Sequence, residues 1–355
     1  MNILFHVKHG GKIMYYDGTK LLSLKDKYNK KPEIYICTSN RNAGKTTFFN
    51  RMLVNRFLKS GQEFLLVYRF NYELDEIDKK FFTNIGELYF SNKDFKCFRK
   101  SKGLYTELRL NNEICGYGIA LNNADALKKI SHIFQNCTSM LFDEFQSENN
   151  HYCNKEVEKL QSIHTSFARG HGKQIRYLPV YLVGNPVSLL NPYYTALGIS
   201  DKLKKDTKFL KGDGYVLEYN INETAKIAAS ESAFNRAFQN NSYARYASQA
   251  IYLNDNMSFI GRPKGKNRCI CNIIYEKVKY GIKEYDQIGI MFVDDKPDNT
   301  CPINIAVTTD DHQINYVMIS KYNMLINAMR TLFEKGCFRF KNLKCKEAIF
   351  KALSY

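Results

Sequence analysis

Residues 33–61 constrain the fold more than any other stretch. A short apolar run, Glu33-Ile34-Tyr35-Ile36-Cys37, leads into Ser39-Asn40-Arg41-Asn42-Ala43-Gly44-Lys45-Thr46-Thr47. Phe48, Phe49, Met52, Leu53 and Phe57 then recur at helical spacing until Ser60-Gly61 stops the pattern. So short an apolar run reads as a buried parallel strand. With a second strand over 63–69, the segment is a strand–loop–helix–strand unit. Its loop has the parts that cradle a polyphosphate. Backbone N–H groups face inward at a helix start, Lys45 suits the β- and γ-phosphates, and the Thr46 hydroxyl suits Mg2+. The glycine usually found six positions before the lysine is Ser39 here. A chance Gly-Lys-Thr at a helix start would look the same in isolation, but the strand before it and the amphipathic helix after it argue otherwise.

Further along, helices over 124–135 and 156–169 alternate with buried strands over 138–142 and 180–183. This predicts a mostly parallel α/β sheet through about residue 200. The run Ser139-Met140-Leu141-Phe142-Asp143-Glu144 leaves two carboxylates at a strand's C-terminal end, where open α/β sheets bind ligands. Asp143 is expected to hold Mg2+ through water and Glu144 to polarise an attacking water, so with the loop they form an ATP site. Arg169, in Ala168-Arg169-Gly170-His171-Gly172-Lys173, is a candidate for a cation donated to a neighbouring subunit's site, with Arg176 as the alternative. A solvated helix-end arginine reads equally well there. Asn185, in Gly184-Asn185-Pro186, is either a γ-phosphate sensor or part of a plain turn.

A chain of 355 residues suggests two domains. Its net charge of +17 implies an anionic partner, nucleic acid before membrane surface. Three clusters could meet phosphates: Lys96/Arg99/Lys100/Lys102, Lys202/Lys204/Lys205/Lys208/Lys211 and Arg262/Lys264/Lys266/Arg268. No apolar run approaches the roughly 20 residues of a spanning helix, and the N-terminus does not read as a secretory signal. Ten scattered cysteines without a CxxC pair read as reduced thiols, hence cytoplasm. Cys269 and Cys271, two apart on an expected strand, should point the same way. Composition shifts after residue 200. An Ala/Ser-rich segment over 225–252 reads as helix. Strands over 269–278, 281–294 and 303–309 and helices over 320–335 and 344–353 then predict a second α/β domain. The expected division is 1–206, a linker or small helical region over 207–255, and 256–355.

The combination resembles the DNA-packaging ATPases of small podophages with protein-primed genomes, terminase-like members of the ASCE branch of P-loop ATPases. The resemblance rests on Asn40-Arg41-Asn42-Ala43-Gly44-Lys45-Thr46, on the stretch 55–70 ending Val67-Tyr68-Arg69-Phe70, on Leu141-Phe142-Asp143-Glu144-Phe145, and on Asn185-Pro186-Val187-Ser188-Leu189-Leu190-Asn191-Pro192-Tyr193. It implies a homomeric ring, typically a pentamer, docked on the portal of a procapsid in the host cytoplasm and driving viral double-stranded DNA inward with ATP. A structural packaging RNA is a further partner it admits; a membrane is not. The same resemblance implies catalytic roles for Lys45, Glu144 and a trans-acting Arg169, with Lys128 or Lys129 as a second trans cation. It places Ser39 to Thr47 and Arg69 on the nucleotide, and Thr46 and Asp143 on Mg2+. It also implies that the second domain is RNase H-like. A two-metal nuclease needs converging carboxylates, and Glu276, Asp294 and Asp295 make no convincing set. A vestigial nuclease that grips DNA or docks is therefore expected. The alternatives are a terminase-type motor with an active nuclease, or a nucleic-acid-binding P-loop protein without motor activity.

Overall fold

A computed structural model describes residues 16–76, 84–148, 151–170, 172, 174–188, 191–199, 202–203, 207–237 and 259–353. The chain forms two compact units, Met1–Asn254 and Asp255–Tyr355.

Among its described residues the first unit has nine strands: β1 (Ile34–Ser39), β2 (Glu63–Tyr68), β3 (Phe95–Lys100), β4 (Tyr105–Leu110), β5 (Glu113–Ala120), β6 (Cys137–Asp143), β7 (Val180–Gly184), β8 (Phe209–Lys211) and β9 (Tyr215–Asn220). Their order is β3-β4-β5-β2-β6-β7-β1-β9-β8. The six strands from β5 to β9 are parallel, and antiparallel hairpins close both ends. β1 is buried on both faces, so it shows no polar alternation. Its Tyr35 and Cys37 join the cluster that holds Phe49, Leu53 and Val54 of the helix Lys45–Ser60. Its Ile36 joins Leu160, Ile163 and Phe167 of the helix Glu156–Phe167 on the other face.

Several boundaries differ from expectation. The sheet does not stop at 206: β9 pairs along the whole of β1, from Ile34–Tyr215 to Ser39–Asn220, so residues to 220 belong to the first sheet. The helix expected over 225–252 is described only to 237. There it is two pieces, Glu223–Glu231 and Ala233–Ala237, broken at the extended Ser232; residues 238–252 lie outside the described residues. The helix expected over 124–135 ends at Lys129 and continues as a tighter turn.

Among its described residues the second unit has six strands: β10 (Arg268–Tyr275), β11 (Val278–Tyr285), β12 (Ile290–Asp294), β13 (Asn304–Ala306), β14 (Val317–Met318) and β15 (Phe338–Phe340). Their order is β14-β13-β10-β11-β12-β15. Counting the first five in sequence, the order is 3-2-1-4-5 with only the second strand reversed, the RNase H-like arrangement. The helices Asn323–Glu334 and Leu343–Leu353 pack their apolar residues on one face. The single strand expected over 281–294 is two, because Gly289 takes φ 61° and turns the chain. Cys269 and Cys271 do not share a face. A bulge between them pairs Cys269 with Lys283 but Cys271 with Ile282, which reverses their sides.

Candidate functional site

β1, β7 and β6 lie side by side and parallel, so their C-terminal ends form one edge. The loop after β1 curls at Asn42 (φ 59°) and Gly44 (φ 91°) into the helix Lys45–Ser60. Ser39 is still strand, paired with Asn220 and buried, and it needs no positive φ. This is why a side chain is tolerated where such loops usually carry glycine: the left-handed positions lie further on. The Lys45 ammonium is buried and donates to Ser39 O at 2.9 Å, Asn40 O at 2.8 Å and Asn185 Oδ1 at 3.1 Å. Burial lowers its pKa against the pull of nearby Asp143. Asn185, at the end of β7, therefore meets the phosphate-loop lysine directly.

Asp143 ends β6, and its carboxylate accepts from the Thr46 hydroxyl and from Glu144 N at 3.0 Å. Burial pushes its pKa up to about 6, and Glu144 adds to this while Thr46 and Lys45 oppose it. Thr46 and Asp143 thus offer adjacent hard oxygens, the donor set Mg2+ prefers. Glu144 is exposed and holds φ 55°, a left-handed backbone that costs a non-glycine residue about 1–2 kcal/mol. Thr46, Asn50, Arg69, Glu73, Asp143 and Glu144 are among the residues lining a cavity of about 280 Å³.

Arg69, expected on the nucleotide, lines this cavity and is anchored there by Glu156. It is buried, with Nε donating to Glu156 Oε2 at 2.8 Å and Nη2 to Glu156 Oε1 at 3.1 Å and Phe145 O at 2.9 Å. Glu156 also accepts from Tyr193 OH at 2.9 Å and Cys153 N at 2.9 Å. The Val-Tyr-Arg-Phe strand end and the Asn-Pro-Tyr stretch, far apart in sequence, thus meet on one carboxylate beside the Asp143-Glu144 turn. Sequence reasoning missed Glu156, whose only signal was an acidic residue opening a helix. It also missed Gln146, whose Oε1 accepts from Val187 N and Ser188 N and so fixes the loop after Asn185.

The remaining candidates spread out. Arg41 pairs with Glu148. Arg169 is exposed just past the helix Glu156–Phe167, whereas Arg176 donates to Phe167 O at 2.9 Å and so caps that helix. The helix opens at Glu156 beside Arg69, and its 12 residues span about 18 Å. Arg169 therefore lies at the opposite sheet edge from the 39–47 loop. Lys128 pairs with Asp125, and Lys129 is exposed. In the basic hairpin, Lys96 pairs with Asp94 and Arg99 with Asp75. Lys204 and Lys205 lie outside the described residues. Arg268 pairs with Glu284, while Arg262, Lys264 and Lys266 are exposed.

In the second unit the carboxylates are held separately. Asp294 pairs with Lys283 and Asp295 with Lys341, while Asp311 accepts from the backbone N–H groups of Glu276 and Lys277. Asn272 and Asn304 are paired across β10 and β13 and hydrogen-bonded to each other at 2.8 Å. Among the described residues no helix is long and apolar enough to cross a membrane.

An additional strand, β7, inserted between β1, which leads into the 39–47 loop, and the acidic strand β6 marks the ASCE class of fold, here joined to an RNase H-like unit. The chain belongs to the podovirus DNA encapsidation protein (Gp16) family, whose sequence profile matches residues 11–354. It is 23% identical to the DNA packaging protein of Bacillus phage phi29 over 335 residues, 93% of this chain and 94% of that protein. Against the DNA packaging protein of Bacillus phage B103 it is 24% identical over 308 residues, 85% and 90% of the two chains. Its fold is similar to that in the bacteriophage phi29 viral genome packaging motor assembly, with a TM-score of 0.61 at 22% identity, covering 97% of this chain and 98% of that one.

Proposed function

We propose that this chain hydrolyses ATP and uses the energy to move viral double-stranded DNA into a procapsid, as one subunit of a homomeric ring. The observation that carries the reading is the gathering of Lys45, Thr46, Asp143, Glu144 and Asn185 at one sheet edge. Lys45 and the loop's N–H groups would hold the β- and γ-phosphates. Thr46 and Asp143 would hold Mg2+, which when bound neutralises phosphate charge. Glu144, on its strained turn, would orient the attacking water, and Asn185 would sense the γ-phosphate through Lys45. Arg69, anchored by Glu156 at the wall of the same cavity, would hold the Asp143-Glu144 turn in place.

Arg169 is the preferred trans cation, because it is exposed while Arg176 is engaged on a helix end. A ring, most simply a pentamer, would place it at a neighbour's site. The portal is the docking partner this implies, with a packaging RNA as a further one. The second unit grips DNA or docks. The test is ATP turnover by the Lys45→Ala and Glu144→Gln variants, each expected to fall at least about 100-fold with an unchanged circular-dichroism spectrum. Unaltered turnover in Glu144→Gln would overturn the base assignment. Supercoiled plasmid with Mn2+ is expected to stay intact, and nicking lost in Asp294→Ala would return the second unit to the nucleases.

A further inference from the structure

Two stitches join the phosphate loop to β9 and to the helix Glu223–Glu231 beyond it. The first is Asn40, which is fully buried. Its Nδ2 donates to Asn222 O at 3.1 Å, and its Oδ1 accepts from Asn222 N at 2.9 Å. A side-chain amide carries both a donor and an acceptor, so this reciprocal pair mimics a bridge between strands; a carboxylate or a hydroxyl could not complete it in the same geometry. Asn222 is also the N-cap of the helix Glu223–Glu231, with its Oδ1 accepting from Ala225 N at 2.8 Å. At its other end, the Asn40 carbonyl accepts from the Lys45 ammonium. One residue therefore holds the loop's lysine with its backbone and a helix N-terminus with its side chain. The second stitch is Tyr16, also buried. Its N–H donates to Ala43 O at 2.7 Å, and its hydroxyl donates to Glu218 Oε2 on β9 at 2.5 Å.

We infer that Asn40 is a positioning residue that couples occupancy of the phosphate loop to the helix Glu223–Glu231, so that nucleotide binding is felt in the segment after β9. The inference rests on the reading of this loop as a nucleotide site. A polyphosphate competes with the Ser39 and Asn40 carbonyls for the donors of Lys45. Charge-assisted bonds of this kind are the strong ones, so their exchange shifts the loop's resting geometry. The Asn40 amide passes that shift to Asn222, and the Tyr16 stitch keeps β9 from absorbing it.

Hydrogen exchange on the full chain tests this, with and without a slowly hydrolysed ATP analogue and Mg2+, while binding of a fluorescent ATP analogue is measured in parallel. In the wild type, nucleotide is expected to slow exchange across 221–231 by on the order of fivefold. In Asn222→Pro, nucleotide still binds but the slowing is lost. In Asn222→Ala the slowing persists, because only the cap is removed and the main-chain partners of Asn40 remain. If Asn222→Pro fails to fold, Asn40→Ala is compared at saturating nucleotide, and the slowing is again lost. The φ of −81° at Asn222 suits proline, and only the N–H that Asn40 accepts and the cap are lost. Binding without any change over 221–231 in the wild type would overturn the coupling and leave the nucleotide site standing. A change that survives in Asn222→Pro would overturn the role of Asn40. No nucleotide binding in the wild type would overturn the site reading and the coupling together.

Discussion

Arg69 and Glu156 show how much a single buried pair can organise. Their side chains are 8% and 1% exposed, and together they tie β2, the Asp143-Glu144 turn, the helix Glu156–Phe167 and Tyr193. Removing one partner strands a charge in the interior, so Arg69→Met is expected to cost about 3–5 kcal/mol. The double change Arg69→Met with Glu156→Gln should cost distinctly less. A denaturant double-mutant cycle checks this, and additive losses would refute it. His164 offers a pH test. Burial opposes its charge, but the Glu33 carboxylate and the Leu178 carbonyl outweigh burial and hold its pKa above the usual value, while Glu33 is held below its own. A raised histidine pKa stabilises the fold fully below its unfolded value, about 6.5, and loses that contribution as pH rises through the folded value. The stability difference between wild type and His164→Gln should therefore be larger at pH 6 than at pH 8.5. A few tenths to about 1 kcal/mol is expected for a pair that solvent still partly screens, and urea denaturation at the two pH values measures it.

At the scale of elements, the second sheet carries a constraint that the strand pattern alone does not show. Gly281 on β11 pairs with Asn272 and with Asp294, and a Cβ there would sit 2.6 Å from Lys296 O. The loop after β12 presses its backbone onto this face, where Asp298 exchanges two hydrogen bonds with Asn272. Gly281→Ala must push that loop away and is expected to cost about 1–3 kcal/mol. Gly289→Ala, strained but with open space around its Cβ, should cost only about 1 kcal/mol. Thermal melts of the two variants should rank them in that order, and the reverse order would refute the packing argument. Elements with one strong local signal were legible in sequence: β1, β2, β6, β7 and the helix Lys45–Ser60. β5, β9 and β15 escaped notice. β9 comes after a Lys-rich break in composition that resembled a domain edge, and β15 is only three residues long.

For the whole molecule, charge and assembly make the predictions. A chain at +17 that tracks a DNA backbone should bind with steep salt dependence. Neutralising Arg262, Lys264 and Lys266 together should flatten the log–log salt slope by about 2–3 if each meets one phosphate. An unchanged slope would move the contact to another basic cluster. If Arg169 acts in trans, mixing Arg169→Ala with Glu144→Gln subunits should restore part of the ATP turnover that neither has alone. No recovery at any ratio would remove Arg169 from that role.

The local sequence determined the phosphate loop and the acidic strand end, because each is written in adjacent residues with a hydrophobic strand beside it. It also carried four strands and both long helices of the second unit, but not β14, β15 or the turn that divides β11 from β12. Only the tertiary structure decided what Arg69 touches, since Glu156 lies 87 positions away. It alone brought Asn40 to Asn222 across 182 positions and set the Lys45 ammonium on Asn185 across 140. The last two join segments that follow neighbouring parallel strands, and their partners are chosen by strand order in the sheet, which no local pattern of residues records.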